Sequence, residues 1–301
     1  MPWSTVCVTE PISESSSEAA ARRLVLVHAH PDDETTGTGA TMARYASEGV
    51  PVCLVTCTRG ERGEVVADDL AQLRDAGPDA LGKYRESELA AAMNELGVKR
   101  YVWLGGAGRW WDSGMVGTPE NEHQRAFYRA ELTEPVRALV EVLRREQPTV
   151  VVTYDPHGGY GHPDHIQAHR VTMAAITPAA DPEYAPELGE PWRVPKVYWS
   201  VVPRSAVLKM AEEVGAEFAE QMPGATDDKI TARLDGEEYL PAKLAALRAY
   251  RSQVNLDDGF FARFVKGAQF RYEHFQLVHG ARGPAGPGEQ GWEDDLFAGL
   301  A

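Results

Sequence analysis

The chain has 301 residues, with 30 Lys or Arg against 45 Asp or Glu, so its net charge near neutral pH is −15. That surplus repels a phosphate backbone and excludes nucleic acid as a partner, and the absence of any apolar run near the roughly 20 residues of a membrane span excludes a membrane protein. Three cysteines, Cys7, Cys53 and Cys57, cannot build a disulfide framework, and the N-terminus lacks the basic start and apolar stretch of a signal peptide; the expected location is cytoplasmic.

Residues 1–21 are Ser-rich and acidic without periodicity, which predicts a flexible leader. Four short apolar runs follow: "RLVLVH" (23–28), "PVCLVTCT" (51–58), "RYVWLG" (100–105) and "PTVVVTYD" (148–155). Continuous Val and Leu without alternation suits parallel strands covered on both faces. Cys53 and Cys57, four apart in the second run, read as buried free thiols. The stretches 37–49, 83–98 and 131–147 carry apolar residues at helical spacing. The repeated βα rhythm predicts an α/β fold with a doubly wound, Rossmann-like, mostly parallel sheet over residues 22–195. A Pro-rich connector at 177–195 interrupts it. Beyond lie strand candidates at 196–202, 229–235 and 271–280 and a helix at 237–253, read as a smaller C-terminal α+β extension over 196–301 that completes the pocket. Residues 281–290, "ARGPAGPGEQ", read as a loop or linker.

In a doubly wound sheet ligands bind beyond the carboxyl ends of the strands. The four loops there are "HAHPDDE" (28–34), "GERGEV" (60–65), "GGAGRWWDSGM" (105–115) and "YDPHGGYGHPDH" (154–165). The first offers His28, His30, Asp32, Asp33 and Glu34, the fourth Asp155, His157, His162, Asp164 and His165. A catalytic zinc site takes three ligands of these types and leaves a position for water. One His-Pro-Asp alone reads as a turn; "HPDD" and "HPDH" after two strands of one sheet point to a divalent metal. Proline after His30 and after His162 restricts the preceding backbone and stiffens both turns. Neighbours in a tight turn point apart, so one of Asp32 and Asp33 can hold the ion while the other faces its water. The first strand runs into "HAHPDDE" and not into a Gly-rich phosphate cradle, which argues against a nucleotide-binding module.

These motifs, together with "TCTRGERGEV", "LGGAGRWWDSGM", "VPKVYW" and "GWEDDLFAGL", resemble the N-acetylglucosaminyl-phosphatidylinositol deacetylase-like metalloenzymes from residue 23 to the end. Within that family the similarity is greatest to the branch that deacetylates N-acetylglucosaminyl-inositol in mycothiol biosynthesis. The sister conjugate amidases share the metal motifs, but have Pro where this chain has Gly161 and lack a close counterpart of the third loop. The resemblance implies a small-molecule N-acetylglucosaminyl-inositol substrate, hydrolysed to the free amine and acetate. It also implies that His30, Asp33 and His165 hold the metal, that Asp32 is the general base, and that a protonated His162 and Tyr160 stabilise the oxyanion. Arg85, Asp112 and Glu64 would bind sugar hydroxyls; the plainer reading of Arg85 is a helix-face ion pair to Glu88. Two histidines and a carboxylate suit Zn²⁺ first, with Fe²⁺ as the alternative. Asp32 and His162 are both candidates to protonate the leaving amine.

His28 reads as a supporting histidine or a satisfied buried one, and Asp164 as a partner that orients a histidine. Asp155 suits either that role or a strand-end turn. Glu34 reads as a cap of the following helix, and Trp110 and Trp111 as core before pocket. His157, where the relatives have Asn, takes no role. A homo-oligomer is compatible with the sequence, which does not specify one.

Overall fold

The computed structural model describes residues 22–288 and 290–300; the leader expected over 1–21, with Cys7, lies outside the described residues. The four apolar runs form β1 (Leu24–His28), β2 (Val52–Thr56), β3 (Arg100–Trp103) and β4 (Val150–Tyr154). Every residue of β1, β2 and β4 is buried, as the unalternating Val and Leu runs require when helices cover both faces. Strand β5 (Lys196–Val201) lies parallel to β4, β7 (Tyr272–His279) runs antiparallel to β5, and β6 (Ala232–Asp235) pairs antiparallel with β7 at the edge. The result is one seven-stranded sheet ordered β3-β2-β1-β4-β5-β7-β6. The span from Lys196 onward therefore extends the first sheet and does not build a separate one.

The helices that cover the sheet near the site are α1 (Asp33–Ser47), α2 (Pro78–Glu95), α3 (Thr133–Glu146), α4 (Pro163–Ala180) and α5 (Leu240–Ala249); a further helix, Arg204–Val214, and shorter turns lie between them. Alternate residues of each strand feed two cores. Leu24, Leu26 and Leu54 meet Met42 of α1, Leu89 of α2 and Ala246 of α5 on one face; Val25, Val27 and Val151 meet Leu139 of α3 and Val171 of α4 on the other. Cys53 and Cys57 are free, buried thiols in the second core. Lys196 of β5 and Glu293 form a fully buried ion pair, with Lys196 Nζ 2.7 Å from Glu293 Oε1, and Leu296 and Phe297 are buried in the first core. No helix among the described residues is long and apolar enough to cross a membrane.

Strands β1 and β4 are neighbours, and the connection from β1 leads to β2 on one side while that from β4 leads to β5 on the other. This is the switch point at which a crevice opens beyond the strand ends.

Candidate active site

Two histidine-proline turns meet over that crevice. His162 sits at the N-cap of α4 in the extended conformation that a following proline favours, with φ −63° and ψ 128°. Its Nδ1 accepts the Asp164 amide at 3.2 Å. A neutral His162 therefore carries its proton on Nε2, which lies 3.9 Å from Asp112 Oδ1. Asp32 precedes α1 at φ 104°, a strained conformation for a non-glycine residue.

Asp33 Oδ2 is the hub. It accepts the His30 amide at 2.9 Å and the Tyr154 hydroxyl at 2.8 Å, and lies 3.2 Å from both His30 Nδ1 and His165 Nε2. The other nitrogen of His30, Nε2, is 3.2 Å from Asp164 Oδ2 and 3.5 Å from Asp112 Oδ1. Asp164 is fully buried; it also accepts the Ser113 amide at 2.8 Å, the Ser113 hydroxyl and the Tyr128 amide at 3.1 Å. It thus holds a histidine and two loops at once. His165 Nδ1–H donates to the Gly158 carbonyl at 3.1 Å, leaving a buried Nε2 that makes no hydrogen bond.

That orphaned nitrogen tests the site for a metal. A lone pair facing a carboxylate oxygen at 3.2 Å is repulsive until a cation is bound by both. The donor set fits one: ring nitrogens of His30, His162 and His165 lie within 4.8 Å of one another, and so do ligand atoms of His30, Asp112 and Asp164. Asp33 touches the first group through two of its members, and His30 and His165 each have the other ring nitrogen at a carboxylate or a carbonyl, as metal-ligating imidazoles do; His162 differs, since its Nδ1 accepts an amide and its Nε2 therefore carries the proton.

The GlcNAc-PI de-N-acetylase family matches residues 25–176, which span both histidine turns. The chain belongs to this family. Two similar relatives are 1D-myo-inositol 2-acetamido-2-deoxy-alpha-D-glucopyranoside deacetylases. That of Saccharopolyspora erythraea is 60% identical over 277 residues, covering 92% of this chain and 100% of the relative. That of Geodermatophilus obscurus is 51% identical over 294 residues, covering 93% and 98%. Among solved structures, the N,N'-diacetylchitobiose deacetylase from Pyrococcus horikoshii aligns with a TM-score of 0.61 at 20% identity, covering 86% of this chain and 84% of that one. The 4-carboxy-2-hydroxymuconate hydratase from Pseudomonas putida aligns with a TM-score of 0.56 at 21% identity, covering 86% and 97%. These two share the fold while their names describe different reactions, so within this de-N-acetylase fold the reaction has to be argued from side chains.

The remaining residues in and around the crevice fall into three groups. Those brought to the crevice include Asp112, 6% exposed, whose Oδ1 accepts the Gly114 amide at 2.8 Å. Tyr160 is the most open of them; its ring lies 4.9 Å from that of His165, after two glycines with positive φ. His28 is buried, with Nε2 3.0 Å from Thr38 Oγ1 and Nδ1 3.3 Å from the Tyr154 hydroxyl; burial pulls it down to about 4, so it is neutral. Burial, with His30 and His165 adding to it, likewise pulls His162 down to about 3. The protonated His162 expected from the sequence is thus disfavoured, and the neutral Nε2–H is the donor available.

The second group lies outside the metal cluster, and some of its members are placed otherwise than expected. Arg85 is buried and does not pair with Glu88, whose carboxylate instead accepts the amide and hydroxyl of Ser252, both at 2.7 Å. Its Nη2 donates to Asp32 Oδ2 at 2.9 Å and to the Pro31 carbonyl, and its Nη1 to the Gly60 carbonyl at 2.9 Å. Burial raises Asp32 to about 8, Arg85 opposing and Asp33 and Glu34 adding. Glu64 is exposed, whereas Glu61 of the same loop is 2% exposed and accepts the Asp112 amide at 3.1 Å. Asp155 forms the turn, accepting the amides of His157 and Gly159 at 2.8 and 3.2 Å. Trp110 is core against Phe127, but Trp111 stacks on His123. Glu34 reaches back to the Asp32 amide at 3.0 Å, the capping expected of it, and is fully buried.

Sequence reasoning missed the third group: Tyr154, Ser113 and Glu61. Tyr154 could have been found as the last residue of the fourth strand, directly before the loop. Nothing in "GERGE" says that its first glutamate, rather than its second, turns inward.

Proposed function

We propose that this chain is a metal-dependent hydrolase that cleaves the acetamide of N-acetylglucosaminyl-inositol to the free amine and acetate, as a step of mycothiol biosynthesis. The observation that carries the reading is the buried, unpartnered Nε2 of His165 converging with Asp33 and His30, beside an Asp32 whose carboxylate is held by Arg85. The names of relatives 60% and 51% identical over more than nine-tenths of the chain support the substrate.

In this proposal His30, Asp33 and His165 hold the ion, Zn²⁺ first and Fe²⁺ as the alternative, with His28 and Asp164 supporting them. Once bound, the ion supplies Lewis acidity toward the acetamide oxygen and makes water a nucleophile near neutral pH. Asp32 takes a proton from the attacking water as its oxygen bonds to the carbonyl carbon. The neutral His162 Nε2–H and the Tyr160 phenol donate to the oxyanion. When the C–N bond breaks, Asp32 returns its proton to the departing nitrogen. In the same proposal Asp112 and Arg85 bind sugar hydroxyls, and Glu64, exposed here, would have to turn inward to join them. The span 196–301 completes the pocket, a reading supported by the contact of Tyr250 with Glu34 at 2.5 Å. We place the protein in the cytoplasm, acting on a small molecule.

The test is primary-amine release from N-acetylglucosaminyl-inositol by metal-loaded protein, with free N-acetylglucosamine and a mycothiol conjugate as parallel substrates. Release from the inositol-linked sugar, abolished by chelator, is expected. Cleavage of the conjugate alone would assign the protein to the amidases.

A further inference from the structure

We propose that Tyr250 is a positioning residue for Asp32 and acts through Glu34, an inference that rests on reading Asp32 as the proton acceptor. Tyr250 follows α5 and is fully buried; its phenol donates to Glu34 Oε1 at 2.5 Å, and the Thr35 hydroxyl donates to the same oxygen at 2.5 Å. The other oxygen, Oε2, accepts the Asp32 amide at 3.0 Å. Among the described residues no lysine or arginine pairs with Glu34, so a fully buried carboxylate is held by hydrogen bonds alone. Such a group is costly to bury and calls for a reason.

The reason lies at the N-terminus of α1. An aspartate at an N-cap ordinarily turns its carboxylate back onto the first amides of the helix. Asp32 makes no such bond, and its carboxylate points to Arg85 instead. What remains is a bond that resembles the reach-back half of a capping box but comes from N2 and not N3, from the Asp32 amide to Glu34. With φ at 104° the Asp32 backbone is off the helical path, and Glu34 anchors its amide while Arg85 anchors its carboxylate. Tyr250 fixes the rotation of Glu34, and so the direction in which the Asp32 carboxylate leaves the turn. A further tie joins the same helices: Lys243 of α5 pairs with Glu273 at 2.7 Å, and Glu273 accepts the Ala40 and Thr41 amides of α1 at 2.9 and 2.8 Å.

Wild type and Tyr250→Phe, loaded with Zn²⁺, are compared by steady-state kinetics on N-acetylglucosaminyl-inositol, by metal content, by thermal midpoint and by the visible spectrum of the Co²⁺-loaded forms. The expected result is a kcat lower by about tenfold or more with KM within about threefold, since displacing a reacting group acts on turnover. Metal content and Co²⁺ spectrum should stay those of wild type. Glu34→Gln keeps an acceptor for the Asp32 amide and should retain a kcat well above that of Tyr250→Phe. Should Tyr250→Phe not fold, Glu34→Met removes both acceptors at similar volume and should show the same split. A kcat within about twofold of wild type, or a loss that tracks lost metal or lost folded protein, overturns the proposal. A wild type that releases no amine while binding metal overturns the reading of the reaction, and this inference with it.

Discussion

Asp32 holds φ at 104°, a conformation that costs on the order of 1–3 kcal/mol unless its surroundings impose it. Arg85 on one side and Glu34 on the other impose it here. Strain at this position supports the proposal that Asp32 is kept where it is for its carboxylate. Asp32→Asn preserves size and should leave metal content intact while kcat falls by roughly 10²–10⁴; turnover near wild type alongside full metal content would remove it as the base. In the proposed site Asp164 acts one layer further out. Replacing it with Asn weakens the acceptor for His30 Nε2 and should lower metal affinity about 10–100-fold, read by competition with a chelator. Wild-type affinity in that variant would dissociate Asp164 from the ion.

Of the three glycines in the turn between β4 and α4, Gly158 and Gly159 have surroundings that differ. A Cβ on Gly158, at φ 67°, would lie 2.7 Å from His165 Cβ and 2.8 Å from the Ile166 nitrogen; one on Gly159, at φ 74°, would meet nothing within 4 Å. Gly159→Ala therefore incurs backbone strain alone, on the order of 1–3 kcal/mol, its φ 74° and ψ −70° being the strained γ-turn conformation. Gly158→Ala adds a backbone clash beside a metal-site histidine and should also weaken metal binding. Equal effects of the two on denaturation midpoint and on metal affinity would contradict that distinction. The same scale shows what the sequence reveals. The buried strands were legible because helices on both faces demand unbroken Val and Leu, and the histidine turns because Pro31 and Pro163 mark them. Glu61 was not, since the Gly60 turn at φ 68° decides which glutamate faces inward, and that is a property of the folded loop. Tyr250 was invisible for a different reason: its partner Glu34 is 216 residues away, and no local pattern joins them.

Across the whole molecule, the sheet runs through the Pro-rich connector without a break, and the segment after residue 290 is built into its core. Lys196 and Glu293 are both inaccessible, and Glu293 also accepts the Tyr198 hydroxyl at 2.8 Å. Glu293→Ala strands a buried ammonium and should cost about 3–5 kcal/mol of stability, read from denaturant titration. A loss under about 1 kcal/mol would mean that water reaches Lys196. The two partners are 97 positions apart. During synthesis, then, β5 emerges from the ribosome with a charge it cannot settle until about a hundred further residues have followed. The nascent chain is held unfinished over that interval, with its crevice walls unsecured, and a protease or chaperone meeting it then would find an open sheet edge.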